Sequence, residues 1–290
     1  AAAAPMAPEP TAAEPVAPSL LLAQISDLHV MPKGQLAYGR VDTAAMLRDA
    51  IAHLNRLDPQ PDAVLVTGDL ADRGERTAYA HLREILAGLR APFYVIPGNH
   101  DRIAEFRLAF ADQAYVPTSG EFIQYAIESL PVRLVAIDSV VQGRTRGALC
   151  DERLRWLDQT LAQRADAPTI VMMHHAPFAW DLAHYDEIGM DGGEAFERVI
   201  ARHPQVERVI GGHVHRATQI RFGGTIMSTC PSTAHQAALD LRPDGIDAFA
   251  FELPGFQLHR WTGRVLFTHT LSIGNFERFP FHPVAPAAAT

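Results

Sequence analysis

The sequence predicts an α/β layered domain, because apolar runs of strand length alternate along the chain with segments of helical spacing. The apolar runs are LLLAQI (20–25), AVLVT (63–67), FYVIP (93–97), VRLVAID (132–138), TIVMM (169–173) and VERVIG (206–211). The helical segments are TAAMLRDAIAHLNRL (43–57), ERTAYAHLREILAGL (75–89), IAEFRLAFAD (103–112) and DERLRWLDQTLAQRA (151–165).

The helical segments also carry boundary signals. In the first segment the apolar residues fall on one stripe, namely Met46, Leu47, Ile51, Leu54 and Leu57. The second segment runs to Gly88, and the last begins with Asp151 and Glu152, which suit the positive end of a helix dipole. These signals favour helices rather than buried strands.

The last third of the chain has a different pattern. Segments 218–230 and 247–273 are predicted to be hairpins, with turns at Gly223-Gly224, Pro254-Gly255 and Thr262-Gly263. They predict a second, largely antiparallel sheet. We divide the chain into an Ala/Pro-rich tail, predicted to be disordered (1–18), a main domain (19–245) and a carboxyl-terminal hairpin extension of the same domain (246–290).

Composition limits the possible functions. The 290 residues are 48% hydrophobic and 20% charged, as in ordinary globular proteins, and the net charge of −8 argues against stable nucleic-acid binding. No apolar run approaches the roughly 20 residues that span a bilayer. The two cysteines, Cys150 and Cys230, exclude a disulfide framework and a cysteine-based zinc site, although they allow one bridge.

Polar residues follow five of the predicted strands at the point where each strand ends. In open α/β sheets ligands bind at the carboxyl ends of the strands, so these residues converge if the strands share a sheet. Within DLH and HVH the outer residues are two positions apart, and in extended backbone each pair points to one side and can bind one centre. The motifs are Asp27-Leu28-His29, Gly68-Asp69, Gly98-Asn99-His100-Asp101, His174-His175 and Gly212-His213-Val214-His215.

The side chains of these motifs form a metal-ligand set of carboxylates, imidazoles and one amide, without sulfur. Such a set suits Zn, Mn or Fe rather than Cu(I). The candidate ligands outnumber the four of a tetrahedral zinc site and suit two metals about 3.5–4 Å apart that share a carboxylate. They are Asp27, His29, Asp69, Asn99, His174, His213 and His215.

The series DLH, GDL, GNHD, HH and GHVH, over about residues 20 to 230, resembles the calcineurin-like metallophosphoesterases. The segments YGRVDTAAML (38–47), TCPSTAHQ (229–236) and GFQLHRW with THTLSIG near the carboxyl terminus resemble the class III cyclic-nucleotide phosphodiesterases and bacterial glycerophosphodiesterases. The resemblance implies a four-layer αββα sandwich of two mixed β-sheets flanked by helices. It also implies two metal ions, which would be Fe, Mn, Zn or Co.

The resemblance further implies a role for each motif residue. Asp27, His29 and His215 would bind one metal, while Asn99, His174 and His213 would bind the other and Asp69 would bridge them. The family pattern favours His174 over His175 as the ligand, since it lies nearer the strand end. The motif HHAP (174–177) departs from the HHPP that relatives often have, and the ligand is unaffected.

The predicted reaction is hydrolysis of a small phosphodiester, either a 3',5'-cyclic nucleotide such as cAMP or a glycerophosphodiester, by a metal-bound hydroxide. Asp69, Asn99 and His100 are the predicted catalytic residues, and Asn99, His100 and His175 are predicted to face the substrate. His175 fits a supporting position equally well. His100 suits a general acid because imidazole titrates near neutral pH. Asp101 either orients that imidazole or caps the following helix.

The same residues are compatible with other functions of the family. A phosphomonoesterase or protein phosphatase would use the same metals, whereas an inactive metal-binding scaffold would have lost ligands. We expect a homodimer or larger homo-oligomer, with hairpins 247–273 capping the pocket or pairing with another subunit. A bacterial, cytoplasmic location is favoured, with the periplasm as the alternative, and no membrane partner is expected.

Three further side chains receive structural rather than functional interpretations. His235 is interpreted as a surface-loop residue in preference to a pocket residue. Phe178 and Trp180 are interpreted as core or interface residues in preference to an apolar substrate wall.

Overall fold

The computed structural model describes residues 18–242 and 244–281. The helices of this part are α1 (Thr43–Leu54), α2 (Arg76–Leu86), α3 (Ile103–Ala109), α4 (Asp151–Ala162), α5 (Ala183–Glu187) and α6 (Gly193–Ala201). The strands are β1 (Leu20–Ile25), β2 (Ala63–Thr67), β3 (Phe93–Ile96), β4 (Tyr125–Ile127), β5 (Arg133–Ala136), β6 (Gly147–Ala148), β7 (Thr169–Met172), β8 (Met190–Asp191), β9 (Val206–Gly211), β10 (Thr218–Phe222), β11 (Thr225–Thr229), β12 (Gln236–Ala237), β13 (Phe249–Ala250), β14 (Gly255–Trp261) and β15 (Leu266–Ser272).

Two mixed sheets contain most of these strands. The first sheet has the order β15-β14-β1-β2-β3, and the second has the order β10-β11-β9-β7-β5-β4. Strands β1, β2 and β3 are parallel, as are β5, β7, β9 and β11. The outer strands β14, β15, β4 and β10 pair in the antiparallel sense.

Three apolar layers hold the sheets and helices together, which confirms the expected αββα sandwich. Strand β2 shows the arrangement, because alternate side chains of a strand point to opposite faces. Val64 and Val66 pack with α1, α2 and α3 outside the first sheet, while Leu65 packs between the sheets. A third layer packs α4 and α6 against the outer face of the second sheet, for example Leu157 and Phe196 against Val171. Strands buried on both faces explain the continuous apolar runs in the sequence.

The predicted separate antiparallel sheet is wrong, because each hairpin extends one of the two mixed sheets. Strand β11 pairs in parallel with β9, so the β10–β11 hairpin forms one edge of the second sheet. Strand β14 pairs with β1, with His259 opposite Leu22, so the β14–β15 hairpin completes the first sheet. These long-range pairings bury residues such as Phe256 in the core.

The predicted helices are confirmed with shorter carboxyl ends. Helix α1 ends at Leu54 and α2 ends at Leu86, two residues before Gly88. At the start of α1, the Asp42 side chain accepts a hydrogen bond of 2.9 Å from the Ala45 amide, which satisfies one of the free N–H groups of the first turn.

The remaining sequence predictions concern the termini and the cysteines. The predicted tail lies outside the described residues except for Pro18. Cys150 is exposed and Cys230 is buried, and both are free thiols, so the bridge that the sequence allows is not formed. No helix in the described ranges is long and apolar enough to cross a membrane.

Candidate metal centre

The five sequence motifs meet at one edge of the sandwich, although their strands belong to two sheets. Strands β1, β2 and β3 run in parallel in the first sheet, and β7 and β9 run in parallel in the second. The five strands do not share one sheet, yet the polar residues that follow them converge as they would if they did. Facing sheets bring the strand ends together as effectively as neighbouring strands do.

The first cluster consists of Asp27, His29, Asp69 and His215, all buried. Nε2 of His29 lies 3.5 Å from Oδ2 of Asp69 and 3.0 Å from Nε2 of His215. Nε2 of His215 lies 3.6 Å from Oδ1 of Asp27. Two imidazole nitrogens and two carboxylates thus point toward one small space, a donor set that suits a divalent metal.

The second cluster lies on the other side of Asp69 and contains Asn99, His174 and His213. Nε2 of His174 lies 3.1 Å from Oδ1 of Asn99 and 3.4 Å from Oδ1 of Asp69. The ring of His213 lies 5.0 Å from that of His174, measured between centroids. Asp69 therefore faces the first cluster with Oδ2 and the second with Oδ1.

The positions of His213 and His215 contradict the expectation, drawn from their spacing, that the two residues bind one centre. His213 and His215 do not share a cluster, and the left-handed backbone at both residues turns the chain between them. Five of the candidate ligands have positive φ: Asp27 (53°), His29 (44°), Asp69 (50°), His213 (73°) and His215 (48°). Positive φ is uncommon outside glycine, and sparsely populated conformations of this kind concentrate at functional sites.

Each histidine of the two clusters is oriented by its second ring nitrogen. When one nitrogen donates to an oxygen, the other carries a lone pair and is free to bind a metal, which is the usual arrangement around protein-bound metals. Nδ1 of His213 has no hydrogen-bond partner among the described residues, and a metal would satisfy it. The orienting contacts are His29 Nδ1 to Asp72 Oδ1 (3.1 Å), His174 Nδ1 to Thr67 O (2.7 Å), His213 Nε2 to Ile188 O (2.8 Å) and His215 Nδ1 to His235 O (2.9 Å).

The carboxylates and imidazoles of the two clusters shift one another's pKa values. Burial acts to lower the pKa of His174, but the carboxylates of Asp69 and Asp27 outweigh it and raise the pKa to about 9. Burial and the neighbouring charge of His174 lower the pKa of His213 to about 4. Burial and His29 likewise lower the pKa of His215 to about 3. His213 and His215 are therefore neutral near pH 7, the form that binds metals.

Two glycines allow the ligands to approach closely. A Cβ on Gly98 would collide with the backbone nitrogen and Oδ1 of Asp69. A Cβ on Gly212 would collide with Oγ of Ser26 and lie 2.7 Å from Oδ2 of Asp27. Glycine is needed at both positions because no side chain fits between the loop and the carboxylates.

His100 lies beside the first cluster with one ring nitrogen available. Its backbone N–H donates to Oδ1 of Asp69 (2.9 Å), and its Nδ1 lies 2.6 Å from the backbone oxygen of Asp72. The ring is 4.6 Å from that of His29 between centroids, and 34% of the side chain is exposed. Nε2 is therefore the nitrogen that can meet a substrate.

Both interpretations of Asp101 are wrong. Its carboxylate contacts neither the His100 ring nor the start of α3, whose N-cap is Arg102 without a side-chain hydrogen bond. Asp101 is fully buried and accepts hydrogen bonds from the hydroxyl of Tyr79 and from three backbone amides, those of Leu70, Ala71 and Gly98. It joins the loops that follow β2 and β3, and so holds Asp69 and Asn99 in position.

The prediction that His175 contacts substrate does not agree with its surroundings. The side chain is fully buried. Its Nδ1 lies 2.8 Å from Oγ of Ser139, and its Nε2 lies 3.0 Å from the backbone oxygen of Thr145. With both nitrogens bonded, His175 fits the supporting position beside the candidate ligands His174 and His213, which is the alternative that the sequence left open.

Sequence reasoning missed or misplaced several residues around the centre. Asp72 was missed, although it lies three positions after Asp69 in GDLAD (68–72). His235 is not a surface residue: it is 2% exposed, and its ring lies 4.7 Å from that of His215. Tyr38 stands next to His235, with 5.2 Å between ring centroids. Nothing in the motif YGR (38–40) predicted that Tyr38 contacts His235.

The other aromatic and histidine residues behave as expected. Phe178 and Trp180 are partly buried against the outer core of the second sheet. The histidines without ligand spacing bond to other groups or are exposed; they are His53, His81, His203, His259 and His269.

The calcineurin-like phosphoesterase family matches residues 20–217 of this chain. The chain therefore belongs to that family. It is 37% identical over 266 residues to a probable glycerophosphodiester phosphodiesterase GpdQ of Arcobacter nitrofigilis, a match that covers 91% of this chain and 97% of that protein. It is 28% identical over 213 residues to the 3',5'-cyclic adenosine monophosphate phosphodiesterase CpdA of Escherichia coli, covering 73% and 76% of the two chains.

Solved structures show the same fold at low sequence identity. A dimetal phosphatase from Danio rerio superposes with a TM-score of 0.59 at 15% identity, covering 88% of this chain and 99% of that chain. Purple acid phosphatase PPD1 from yellow lupin superposes with a TM-score of 0.61 at 16% identity, covering 88% and 54%. These similarities support the sandwich architecture and carry no information on substrate.

Proposed function

We propose that this protein is a binuclear metal-dependent phosphodiesterase that hydrolyses a small phosphodiester, either a 3',5'-cyclic nucleotide or a glycerophosphodiester. The observation that carries the proposal is the position of Asp69, whose two carboxylate oxygens face two separate clusters of buried nitrogen and oxygen ligands. The names of the relatives, glycerophosphodiester phosphodiesterase and cyclic-nucleotide phosphodiesterase, support the same reaction class.

The two clusters divide the candidate ligands between two metal sites. Asp27, His29 and His215 would hold one ion, and the other would be held by Asn99, His174 and His213, with Asp69 shared. Two ions in such a site supply an activated water nucleophile and neutralise charge on phosphoryl oxygens. The nitrogen and oxygen donors suit Fe, Mn, Zn or Co, and metal analysis of the purified protein will identify which one is bound.

The chain itself positions the phosphate and moves a proton. Asn99 turns Oδ1 toward His174, which leaves its amide N–H groups to donate to a phosphoryl oxygen. Nδ1 of His100 is bonded to the Asp72 backbone, so in the doubly protonated imidazolium Nε2 would donate its proton to the departing ester oxygen and leave the neutral ring, a contribution typically of about 10²–10⁴ in rate. Asp72 orients the ring of His29. Asp101 joins the loops that follow β2 and β3 and so holds Asp69 and Asn99 in position.

Metal depletion and substrate comparison test this function. We expect chelation to abolish hydrolysis of bis(p-nitrophenyl) phosphate and Mn, Zn, Co or Fe to restore it. A panel of cyclic AMP, glycerophosphodiesters and monoesters, measured on protein loaded with one defined metal, then selects the substrate class. Full activity in protein shown to be metal-free would overturn the two-metal centre, and inactivity of the loaded protein on every ester would indicate a scaffold.

Assembly and location stay predictions. We propose a homodimer or larger assembly, because the edge strand β15 and its turn expose Phe267 (50%) and Val265 (44%), and apolar sheet edges tend to be covered. Light scattering over a range of concentrations tests this prediction, and a concentration-independent monomer would contradict it. Cell fractionation tests the predicted cytoplasmic location.

A further inference from the structure

A cavity of about 290 Å³ opens beside the candidate metal centre. His213 and His215, one from each cluster, form part of its wall, and Tyr38, Tyr185 and Phe249 form other parts. A phosphodiester bound at the metals carries two ester substituents, and one of them can occupy this cavity. The residues of the cavity wall therefore influence which ester substituents the enzyme accepts.

The cavity wall contains buried polar groups without partners. Tyr185 is 4% exposed, and its hydroxyl has no hydrogen-bond partner among the described residues. His184, the preceding residue in the wall, is half-buried, and its buried Nε2 likewise has no hydrogen-bond partner within the described part of the chain. An unsatisfied buried polar group costs about 1–3 kcal/mol, so a ligand that offers hydrogen-bonding groups here would be favoured over an apolar one.

The charge in the cavity wall is negative. Among the described residues, Asp247 is the only Asp, Glu, Lys or Arg that lines the cavity. The cation that approaches this region, Arg216, pairs with Glu252 instead, with 3.0 Å between Nη1 and Oε1. Asp247 is exposed at the rim, so its carboxylate can accept hydrogen bonds from a substrate group that enters the cavity.

Asp247 also acts on the two tyrosines of the wall. Burial, which is the largest effect, raises the pKa of Tyr185 above its ordinary value, and the carboxylate of Asp247 adds to this increase while Arg216 opposes it. Burial together with Asp72, Asp69 and Asp247 raises the pKa of Tyr38 to about 12. Both phenols therefore keep their protons at neutral pH and can donate hydrogen bonds.

We propose that Tyr185 and Asp247 form a subsite that recognises the hydroxyl groups of an alcohol substituent, in particular a 1,2-diol such as that of a glyceryl ester. This proposal rests on the phosphodiesterase function proposed above. A carboxylate accepts bonds from both hydroxyls of a diol, and a phenol can donate to one of them. A substituent that carries a second phosphate would meet the Asp247 carboxylate, and no Lys or Arg of the described residues lines the cavity to balance the two negative charges.

The proposed subsite also distinguishes glycerophosphodiesters from 3',5'-cyclic nucleotides, which the fold alone does not do. A glycerophosphodiester offers two free hydroxyls on its glyceryl group. In a 3',5'-cyclic nucleotide both ring-closing oxygens are esterified, and the ribose offers a single hydroxyl. Sites that bind substrate hydroxyls discriminate strongly against analogues without them, because their polar groups are then left unpaired. The subsite therefore favours the glycerophosphodiester.

A pair of matched substrates tests this subsite on the metal-loaded, full-length protein. 2,3-Dihydroxypropyl ethyl phosphate and propyl ethyl phosphate have the same charge and the same ethyl group and differ only in two hydroxyls. Ethanol is too poor a leaving group for the neighbouring hydroxyl to expel, so the ethanol released measures hydrolysis by the enzyme. We expect the wild-type protein to favour the diol by at least about tenfold in kcat/KM. We expect Tyr185→Phe and Asp247→Asn each to reduce that ratio by about three- to tenfold, the effect of one weak hydrogen bond.

The controls separate this subsite from general damage. Both substrates report on the same folded fraction, so their ratio is independent of how much of a variant folds. Tyr94→Phe, on β3 and outside the cavity wall, and Asp244→Asn, in the same loop as Asp247, should keep the wild-type ratio. A wild-type ratio near one, or variants with an unchanged ratio, would overturn the subsite and leave the phosphodiesterase function standing. Failure to hydrolyse either substrate by protein that hydrolyses cyclic AMP would overturn the subsite alone, whereas inactivity on every ester would overturn both proposals.

Discussion

Oδ1 of Asp72 lies 3.1 Å from Nδ1 of His29, the ring nitrogen opposite the one that faces the first cluster. The contact fixes which nitrogen of His29 carries its proton. Burial acts to raise the pKa of Asp72, but the hydrogen bond from His29 and the charges of His29, His100 and Arg73 outweigh it, so the pKa is lowered. Asp72 thus stays a carboxylate, and it would make His29 a stronger ligand for a metal bound at the first cluster.

Removal of Asp72 should weaken metal binding without removing a ligand. We expect Asp72→Ala to lower metal affinity by about 10–100-fold, the usual effect of losing a residue that orients a ligand. Competition with a chelator of known affinity measures this change. Asp49→Asn, an exposed carboxylate on α1, is the matched control and should bind metal as the wild type does.

Asp69→Ala and His100→Ala should differ in their effects on metal content and on turnover. Asp69→Ala removes the group that faces both clusters, so metal content should fall at both sites. His100→Ala removes no candidate ligand, and we expect full metal content with turnover reduced by about 10²–10⁴. Elemental analysis together with kcat distinguishes the two variants. If His100→Ala emptied the site, its assignment as a proton donor would be wrong.

Gly212→Ala should disturb the first cluster by steric conflict alone. The new methyl group would collide with Oγ of Ser26 and press on Oδ2 of Asp27. We expect destabilisation of about 1–3 kcal/mol, the usual cost of overpacking, together with a loss of metal. Thermal unfolding and metal analysis measure both effects. Gly88→Ala, whose methyl group would meet nothing closer than 3.2 Å, should have little effect on metal content.

His259 should make stability depend on pH. Burial lowers its pKa to about 3; its Nε2 lies 3.0 Å from Gln24 Oε1 and its Nδ1 lies 2.8 Å from Thr268 Oγ1. In the unfolded chain a histidine binds a proton near pH 6.5. Below that pH the unfolded state gains protons that the folded state excludes, so this stability is present above about pH 6.5 and is lost as the pH falls toward 3.

The corresponding measurement compares the wild type with His259→Gln. The difference in unfolding free energy between the two proteins should shrink by about 1 kcal/mol from pH 7 to pH 5.5, and by about 1.4 kcal/mol per unit below that. The exposed His269 lies on the neighbouring strand, and His269→Gln should leave the pH dependence of the wild type unchanged. A difference for His259→Gln that does not vary with pH would contradict a neutral buried imidazole.

The sequence predicted those parts of the site that follow strand ends directly. Asp27, Asp69, Asn99, His174 and His213 each come within three residues of a strand, so local pattern was sufficient to find them. The positions of the strands were equally predictable, because a strand buried on both faces has a continuous run of apolar residues in the sequence.

Contacts between distant segments could not be predicted in the same way. The pairing of β14 with β1 joins residues more than 200 positions apart, and no local signal distinguishes it from a separate hairpin sheet. Asp72, Tyr38 and His235 meet at the centre because loops from different parts of the chain pack together. Asp101 was misread for the same reason: its partners Tyr79, Leu70 and Ala71 become its neighbours only in the folded protein.

The enzyme should prefer diesters to monoesters. Two divalent ions with the carboxylates of Asp27 and Asp69 have a net charge of about +2, which falls when a bound water loses a proton. A diester carries one negative charge and fits this balance, whereas a monoester carries nearly two at pH 7 and would need an added cation.

The arginines nearest to the motifs do not supply that cation. Arg216 is bonded to Glu252 and to the Ala237 carbonyl. Arg73 is 64% exposed and faces Asp72, and Arg102 is exposed. We therefore expect kcat/KM for bis(p-nitrophenyl) phosphate to exceed that for p-nitrophenyl phosphate by at least about tenfold, or about 1.4 kcal/mol in transition-state stabilisation. The reverse preference, measured with the same metal and pH, would identify a phosphomonoesterase.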